Sequence, residues 1–375
     1  MVRVLLEASC LVDARRDAGI GRYARNLIAN LEHGADLDIG VARPQRPPLS
    51  ESRPGRFIHA QPPALRAAAR MKPDLLHGLG GEPVAGFPLS RQVVTIHDVE
   101  MWRTGGADQL RHAALRAYGI TLAALLRECG AYIAVSRTSA DEAIQALRLR
   151  RSRVHVVPEG VTAAFTALPD PADAAVLASL DLVAGRYVFW AGSMRHRDPR
   201  KGLDLLIEAV GRLGAEGPPL VLAGSTGAEA ERLTALAARR SCRIVLTGRR
   251  GDHDLAALYR NAAVFALAST HEGFGLSALE AMACGVPVVA TAAGNLPDLC
   301  GNAALLVPVG DAAALSGGLR AVLDSSTRAA GMREAGVARS ASFTWERTAR
   351  DTAHIYRSLA ADLTGRRRSP RAVPG

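Results

Sequence analysis

Two glutamates, Glu272 and Glu280, stand around a glycine-rich turn in the string EGFGLSALEAMACGVPVVA. Gly273 and Gly275 permit a tight turn with exposed amides, and the spacing predicts a helix over 277–284. Because a helix N-terminus attracts anions, we expect a phosphate group in front of Gly275. The two carboxylates would then bind hydroxyls on either side of it, those of a sugar and of a ribose. The alternative is a helix cap for Glu272 and a solvent-facing Glu280.

A second candidate is the basic loop in AGSMRHRDPRKGLDLLIEA, between a predicted strand and a predicted helix. Arg195, Arg197, Arg200 and Lys201 gather at the C-terminal end of that strand, where a diphosphate would need its charge neutralised. The only other lysine of the chain is Lys72. Retention of a lysine in the loop therefore suggests a requirement for a compact ammonium group. The alternative is a solvated basic loop.

The string GIGRYARNL places Gly19 and Gly21 before a predicted helix. Read as GxGxxA it mimics a dinucleotide-binding fingerprint. However, that fingerprint follows its strand at once, whereas about a dozen residues separate Gly19 from the first strand here, and the second strand is followed by Arg43 rather than by an acid. The string is therefore weak evidence for NAD binding and is interpreted as a flexible loop that offers amides to a ligand.

His97 ends the predicted strand in VVTIHD. At that position a histidine can hydrogen-bond a bound sugar, or it can be a partly buried residue satisfied by the backbone, and the sequence does not separate the two.

Two strings resemble metal-binding DxD motifs. Residues 36–38 enter a predicted strand, and Asp252 and Asp254 start a predicted helix, where aspartates serve as caps. Neither indicates a metal site.

The elements that position these residues follow one pattern in both halves of the chain. Short apolar runs without polar alternation are joined by helical periodicity, which predicts parallel sheets covered on both faces by helices. At 375 residues the chain favours two domains. The pattern lapses in the Pro- and Ala-rich stretch 158–175, where we place the linker. The fold class is therefore α/β, with two doubly wound, Rossmann-like domains whose ligands bind outside the carboxyl ends of the strands.

Composition narrows the functional class. The net charge is +10 and almost wholly arginine. The basic clusters RLRRSR and GRRRSPR lack interleaved aromatic residues, so no nucleic-acid partner is expected. They are solvated faces, or they attract anionic substrates or an anionic membrane surface. Five scattered cysteines without a CxxC pair indicate neither disulfides nor a zinc site, which favours the cytoplasm.

Taken together, these strings resemble the retaining GT-B glycosyltransferases of family 4, also called glycosyl transferases group 1. The resemblance is carried by residues 266–309 and, in the same order along the chain, by GIGRYARNL, VVTIHD, YIAVSRTSADEAI, VHVVPEGV, PRKGLDLLIEA and FTWERTARDTAHIYRSL. It spans nearly the whole chain. Within the family the chain looks most like mannosyltransferase-type members of polysaccharide biosynthesis.

The resemblance implies a GT-B fold whose two domains face a central cleft. Residues 1–165 would form the N-terminal acceptor-binding domain and residues 166–344 the nucleotide-sugar donor domain. The helix 345–364 would cross back onto the N-terminal domain. Residues 365–375, rich in arginine and proline, are expected to be a disordered tail.

The resemblance also implies roles for individual residues. Glu272 would contact the hydroxyls of the donor sugar, Glu280 the ribose, and Lys201 with a nearby arginine the departing diphosphate. Gly21 would approach that phosphate, and His97 would bond the sugar. The catalytic residues would be His97, Lys201 and Glu272. The donor-binding residues would be Gly21, Arg195, Arg197, Arg200, Lys201, Glu272, Gly273, Phe274, Gly275, Leu276 and Glu280. Family members often carry an arginine directly after the strand's glycine, but Ser193 follows Gly192 here, so the arginine that binds the diphosphate stays open.

The activity expected from the resemblance is transfer of a sugar from GDP-mannose or a UDP-sugar to a hydroxyl acceptor, with the anomeric configuration kept. The acceptor would be a saccharide, a lipid-linked molecule or a small molecule. No cofactor and no obligate metal are expected. The alternatives are an inactive GT-B partner subunit that binds nucleotide sugar, and an NADP-dependent oxidoreductase built on the Gly19 loop.

Overall fold

The computed structural model describes residues 1–17, 19–32, 37–99, 113–227 and 229–368. The chain forms two compact units. Unit 1 comprises Met1–Gly160 together with the chain from Trp345 onward, and unit 2 comprises Val161–Thr344.

Unit 1 is built on a six-stranded parallel sheet in the order β2-β1-β3-β4-β5-β6. Strands β3, β4 and β5 are buried along their whole length, and they lack the alternation of apolar and polar residues that a half-exposed strand shows. The chain passes from β1 to β2 on one side and then returns to β3 on the other, which makes the β1/β3 boundary the switch point of a doubly wound sheet. The strands are Val2–Glu7 (β1), Leu37–Ala42 (β2), Leu75–Gly78 (β3), Gln92–Ile96 (β4), Ala131–Ala134 (β5) and Val154–Val156 (β6).

The described helices of unit 1 are Gly19–Glu32 (α1), Arg53–Met71 (α2), Ala113–Arg127 (α3), Arg137–Leu147 (α4) and, at the end of the chain, Trp345–Arg368 (α13). Ser52 and Ser136 cap α2 and α4 by accepting hydrogen bonds from backbone amides of the first turn. The sequence predicts a helix over 107–128 that corresponds to α3, and residues 107–112 lie outside the described residues.

Unit 2 repeats the plan with a parallel sheet in the order β12-β11-β10-β7-β8-β9. Its switch point lies between β7 and β10. The strands are Val188–Ala191 (β7), Leu220–Ala223 (β8), Ile244–Gly248 (β9), Val264–Leu267 (β10), Val288–Thr291 (β11) and Ala304–Val307 (β12). The helices are Asp173–Ala178 (α5), Leu203–Gly211 (α6), Glu229–Arg239 (α7), Asp252–Arg260 (α8), Leu276–Ala283 (α9), Leu296–Cys300 (α10), Ala312–Leu323 (α11) and Ser326–Ser340 (α12). The predicted doubly wound α/β fold is confirmed in each unit.

Helix α13 follows unit 2 in sequence but belongs to unit 1. Tyr356 is fully buried and its hydroxyl lies 2.5 Å from Nδ1 of His77, whose Nε2 lies 2.8 Å from Oγ1 of Thr95. Near the helix start, the Thr348 hydroxyl donates to the Pro158 carbonyl over 2.7 Å. These buried polar contacts fix the helix on the sheet.

The end of α13 departs from the sequence analysis. Residues 365–368, assigned there to a disordered tail, continue the helix, and 369–375 lie outside the described residues. Arginine has high helix propensity, and basic residues near a helix C-terminus interact favourably with the helix dipole. Among the described helices, none combines the length and apolar character needed to cross a bilayer.

Candidate functional site

The turn between β10 and α9 is shaped by Gly275, which begins α9 with a φ of 103°. A side chain there would be strained, and its Cβ would lie 2.9 Å from the side chains of Leu296 and Leu299. Gly275 itself is the N-cap residue of α9 and has no side-chain capping bond. The alternative of Glu272 as a helix cap is therefore wrong, because Gly275 occupies the N-cap position.

Glu272 is held from both sides of this turn. The Ser269 hydroxyl donates to Oε1 of Glu272 over 2.7 Å, and the Asn295 amide donates to the Glu272 carbonyl over 3.0 Å. A Cβ on Gly294 would lie 2.2 Å from the same carbonyl oxygen, so only glycine fits there. The side-chain amide of Asn295 also donates to the Phe274 carbonyl over 3.0 Å. Sequence reasoning missed Ser269, Gly294 and Asn295, although all three lie within or beside the quoted strings.

Glu280 lies inside unit 2 and is 3% exposed. Its Oε2 accepts a hydrogen bond from the Tyr259 hydroxyl over 3.1 Å. The solvent-facing alternative for Glu280 is therefore wrong. Tyr259, on α8, is a further residue that sequence reasoning missed, because it is 21 positions away in a different helix.

Lys201 follows β7, the strand next to β10, so it stands at the switch point of the sheet. Its ammonium donates to the Ser193 carbonyl over 2.5 Å. Burial lowers the pKa of the Lys201 ammonium, and the carboxylates of Asp198 and Glu272 oppose that shift. Burial likewise raises the pKa of Glu272, against the Ser269 hydrogen bond and the charge of Lys201. The structure therefore brings Lys201 and Glu272 into one electrostatic environment.

The three arginines of the loop lie in different settings. Arg200 forms two side-chain hydrogen bonds with Asp198, of 3.0 and 2.9 Å, and its charge acts on Glu272. Its carbonyl accepts from the Thr270 amide over 2.7 Å, which ties the loop to the turn before Glu272. Arg195 is exposed, and Arg197 is 63% exposed and 3.8 Å from a carboxylate oxygen of Asp204. Of the three, Arg200 is the one that stands with Lys201 beside Glu272.

The basic loop after β7 can lie close to the end of β10 because residue 202 is a glycine. This residue has a φ of 61°, and a Cβ would lie 1.9 Å from the Ala268 carbonyl oxygen. A pocket opens on the loop, and its lining includes Ser193, Arg197, Lys201 and Arg232.

In unit 1, Gly19 and Gly21 form the first turn of α1 rather than a loop before it, which corrects the sequence analysis. A Cβ on Gly21 would lie 2.2 Å from the Arg16 carbonyl oxygen. Glycine is therefore required at this position so that the preceding segment can pack against the helix.

His97 directly follows β4, and both of its ring nitrogens are directed at protein groups. Nε2 lies 2.9 Å from the Leu79 carbonyl oxygen, and Nδ1 lies 3.8 Å from Oε1 of Glu159. The Tyr23 ring packs edge-on against the imidazole, with centroids 4.9 Å apart. The structure thus shows the arrangement of a partly buried histidine bonded to the backbone, and contact with a sugar stays a prediction. Sequence reasoning missed Glu159 because the string PEGV does not by itself indicate a catalytic or ligand-binding residue.

Unit 1 also contains a cluster of charged side chains that the sequence did not predict. Two guanidinium nitrogens of Arg15 donate to Oδ2 of Asp13, at 3.0 and 2.7 Å, and a third donates to the Gly80 carbonyl at 3.0 Å. A carboxylate oxygen of Glu82 lies 3.6 Å from the Arg15 guanidinium and the other accepts from the Tyr118 hydroxyl over 2.9 Å.

Glu7, at the end of β1, lies beside this cluster. It is 3% exposed, and its Oε1 accepts from the Ser9 amide over 2.7 Å. Burial raises the pKa of Glu7 to about 7, although the Ser9 hydrogen bonds and the charge of Arg15 act in the opposite direction.

The DxD strings behave as helix and strand residues where they are described. Asp252 and Asp254 lie in the first turn of α8, behind an N-cap formed by Gly251, so they complement the helix dipole rather than cap it. Asp36 lies outside the described residues. Within the described ranges, no group of three or more His, Cys, Asp or Glu residues is placed to hold a metal ion.

Comparison with known proteins gives a consistent result for both halves of the chain. Residues 18–165 match Glycosyltransferase Family 4, and residues 185–325 match glycosyl transferases group 1. Over 91% of this chain and 96% of the relative, the sequence is 28% identical to O-antigen chain mannosyltransferase B of Escherichia coli. It is 33% identical to the D-inositol 3-phosphate glycosyltransferase of Salinispora tropica over 64% of this chain. That match covers 53% of the relative, about half of its length.

Among solved structures, HepE from Anabaena in complex with UDP-glucose superposes with a TM-score of 0.71. The match covers 97% of this chain and 100% of that one at 20% identity. The fold is that of the GT-B glycosyltransferases. The chain belongs to the glycosyl transferases group 1, glycosyltransferase family 4, and is a glycosyltransferase with mannosyltransferase relatives.

Proposed function

We propose that the protein transfers a sugar from a nucleoside-diphosphate sugar, GDP-mannose or a UDP-sugar, to a hydroxyl acceptor with the anomeric configuration kept. The relative that is similar over nearly its whole length is an O-antigen chain mannosyltransferase, which favours a mannosyl donor and a saccharide or lipid-linked acceptor. The HepE structure contains UDP-glucose, which keeps a UDP-sugar as the second donor.

One observation carries this proposal: Lys201, Arg200 and Glu272 come together beside the turn that leads into α9, at the switch point between β7 and β10. A sugar nucleotide offers matching groups, since its diphosphate suits two cations and a helix N-terminus, and its sugar hydroxyls suit a carboxylate. Burial strengthens each of these interactions because the local dielectric is low.

The chemistry follows from where charge develops. The bond from the anomeric carbon to the diphosphate oxygen breaks through an oxocarbenium-like transition state, and negative charge accumulates on the departing diphosphate. Lys201, Arg200 and the α9 amides stabilise that charge. The acceptor oxygen attacks from the same face, and the donor phosphate accepts its proton. Neither Glu272 nor Glu280 acts as a nucleophile. The reaction needs no obligate metal, so we expect EDTA to leave the rate unchanged.

The remaining residues keep supporting roles in the proposal. Glu280 binds the ribose, Gly21 approaches the donor phosphate, and His97 contacts the sugar. Ribose binding requires access to the Glu280 carboxylate, which now accepts from Tyr259. Donor binding would therefore have to replace the Tyr259 hydroxyl by a ribose hydroxyl as the hydrogen-bond donor to Glu280.

A peripheral contact with anionic membrane is a separate part of the proposal. It is supported by the net charge of +10 and by the arginine-rich N-terminal half. Sedimentation with anionic liposomes at low salt tests it, and absence of sedimentation would remove it.

The experiment that tests the donor site is a thermal-shift panel with GDP, UDP, ADP, dTDP and NADP. A ligand that binds only the folded state raises the melting temperature. We expect one of the first four to raise it, and Glu280→Gln, which keeps the shape of the side chain, to abolish the shift. Tyr259→Phe is the matched control, because it removes the internal partner of Glu280 and leaves the carboxylate, so the shift should persist.

Stabilisation by NADP alone would overturn the proposal. A shift with a nucleoside diphosphate but no transfer of its sugar to any acceptor would instead favour an inactive GT-B protein that binds nucleotide sugar.

A further inference from the structure

Trp190 is a buried aromatic residue of β7, and the Lys201 ammonium lies over its ring. Trp190 is 2% exposed, and Nζ of Lys201 is 5.8 Å from the centroid of the ring. Within about 6 Å a cation is attracted to the negative face of an aromatic ring, and tryptophan is the strongest aromatic partner. The indole Nε1 has no hydrogen-bond partner among the described residues. The side chain therefore contributes through its ring face and its volume rather than through its N–H group.

The ring can occupy this place because residue 192 is a glycine. Alternate residues of an extended chain direct their side chains to the same side, so positions 190 and 192 compete for space. A Cβ on Gly192 would lie 2.6 Å from Cη2 of Trp190. A larger residue at 192 would thus displace the indole from the ammonium.

The Ser193 carbonyl holds the ammonium from a second direction. It accepts from Nζ of Lys201 over 2.5 Å. Ser193 is itself fixed, because the amides of residues 192 and 194 donate to carbonyls at and just after the end of β8 over 2.9 and 2.8 Å. The lysine side chain therefore ends on a carbonyl and a ring that are both held by the sheet.

These contacts suit a cation that acts on a diphosphate. Lysine carries its charge on a flexible four-carbon stem, so the ammonium is placed only by the contacts that the protein provides. A carboxylate in direct contact would also place it, but its negative charge would repel a diphosphate. An aromatic face attracts the cation without a net negative charge.

We propose that Trp190 is a positioning residue for Lys201: its ring face and the Ser193 carbonyl together hold the ammonium where it meets the departing diphosphate. This inference rests on the proposed function, in which Lys201 acts as an ammonium on that diphosphate. Trp190 is buried and acts through Lys201.

The test is a double-mutant cycle between Trp190→Leu and Lys201→Ala, with kcat measured as release of nucleoside diphosphate from the sugar nucleotide. With Lys201 present, Trp190→Leu should lower kcat by about 2–30-fold, the range of cation–π contacts from exposed to desolvated sites. In the Lys201→Ala background the same substitution should lower kcat by less than about twofold, because the group it acts through is absent. Trp190→Phe also removes volume but keeps a ring, so it should retain most of the rate.

Phe189→Leu is the matched control. Phe189 is the neighbouring residue of β7, is fully buried, and points to the opposite side of the sheet, where it packs on Tyr259 and Phe265. Its substitution should lower stability, but any change in kcat should be the same factor with and without Lys201.

The same cycle read by urea denaturation requires no activity. Trp190→Leu should lower the urea midpoint more when Lys201 is present than in the Lys201→Ala background. If Trp190→Leu does not fold, the cycle is run with Trp190→Met, which fills more of the space with a flexible chain and lacks a ring. Equal factors in kcat, or equal decreases in the midpoint, in the two backgrounds would overturn the inference. If the wild type transfers no sugar, the proposed function fails, and the urea cycle still tests the contact.

Discussion

The charged sites of the two units are assembled in different ways. In unit 2, Lys201 and Glu272 come from two loops that follow neighbouring strands, and each side chain bonds a residue of its own loop, Ser193 and Ser269 respectively. In unit 1, Arg15 reaches Gly80, 65 positions away, and Glu82 bonds Tyr118, 36 positions away. A site built from continuous segments can be read in a sequence, whereas one built from distant segments exists only after the sheet has formed.

The difference also concerns charge. The site of unit 2 places Lys201 and Arg200 beside the turn that leads into α9, which suits an anionic ligand. The cluster of unit 1 pairs its carboxylates with Arg15 and with hydroxyl and amide donors, so its charges largely satisfy one another. Substitutions at the unit 2 site should therefore change ligand binding and turnover, and those in the Arg15 and Glu7 cluster of unit 1 should change stability.

The largest effect is expected for Lys201→Ala. Loss of one hydrogen-bond donor to a developing negative charge lowers kcat by about 10²–10³-fold. We expect that decrease in kcat for Lys201→Ala, measured as the release of nucleoside diphosphate from the sugar nucleotide that stabilises the protein. The donor KM should change much less. Lys201→Arg should recover only part of the rate if a compact ammonium is needed.

Lys72, the other lysine, provides the control. It is exposed at the C-terminal end of α2 with a φ of 51°, a conformation that glycine adopts easily. Lys72→Gly removes an equal charge and should leave kcat unchanged. Near-normal turnover of Lys201→Ala would remove the unit 2 site from the mechanism.

For unit 1 the corresponding test is Glu7→Gln. Burial raises the pKa of Glu7 from 4.5 to about 7, so the folded state binds this proton more tightly than the unfolded state does. The contribution of Glu7 to the unfolding free energy is therefore greatest below pH 4.5 and decreases as the pH rises to about 7. Relative to the wild type, Glu7→Gln should gain about 2–3 kcal/mol between pH 5 and pH 8, measured by urea denaturation.

Glu128→Gln removes an exposed carboxylate of the same unit and should show no such pH-dependent gain. If the difference in unfolding free energy between Glu7→Gln and the wild type is the same at pH 5 and at pH 8, Glu7 is not a buried acid with a raised pKa. If it instead abolishes turnover at constant stability, the contrast between the two units is wrong.

The smallest effect is expected for Asn295→Ala, which tests how local the unit 2 site is. The substitution removes the donor to the buried Phe274 carbonyl and should destabilise the protein by about 1–3 kcal/mol. Because the turn before α9 loosens, nucleotide-induced thermal stabilisation should decrease with it. Asn302→Ala replaces an exposed residue just after α10, the helix that Asn295 precedes. It should change neither the stability nor the nucleotide-induced thermal stabilisation. Full nucleotide binding by Asn295→Ala would show that the turn is held by other contacts.

The sequence was a good guide to the elements of the fold, and in unit 2 it singled out Lys201 and Glu272, whose charges act on each other in the structure. Buried parallel strands give continuous apolar runs, and Gly275 and Gly202 mark turns that only glycine permits. The same reasoning misjudged the exposure of Glu280, because burial is decided by α8, a separate helix that provides Tyr259. It also missed Glu159, whose Oε1 lies 3.8 Å from Nδ1 of His97 only once the segments that follow β4 and β6 have come together in the fold.

The position of α13 has a consequence for how the chain is made. Residues 1–160 leave the ribosome first, but the helix that buries Tyr356 against His77 is synthesised only after all of unit 2. At ordinary elongation rates that interval is about 10–40 s. During it, the nascent unit 1 exposes the apolar groove that α13 later fills, whereas unit 2 is continuous and can complete its fold. The last described helix of unit 1 is therefore synthesised after every element of unit 2.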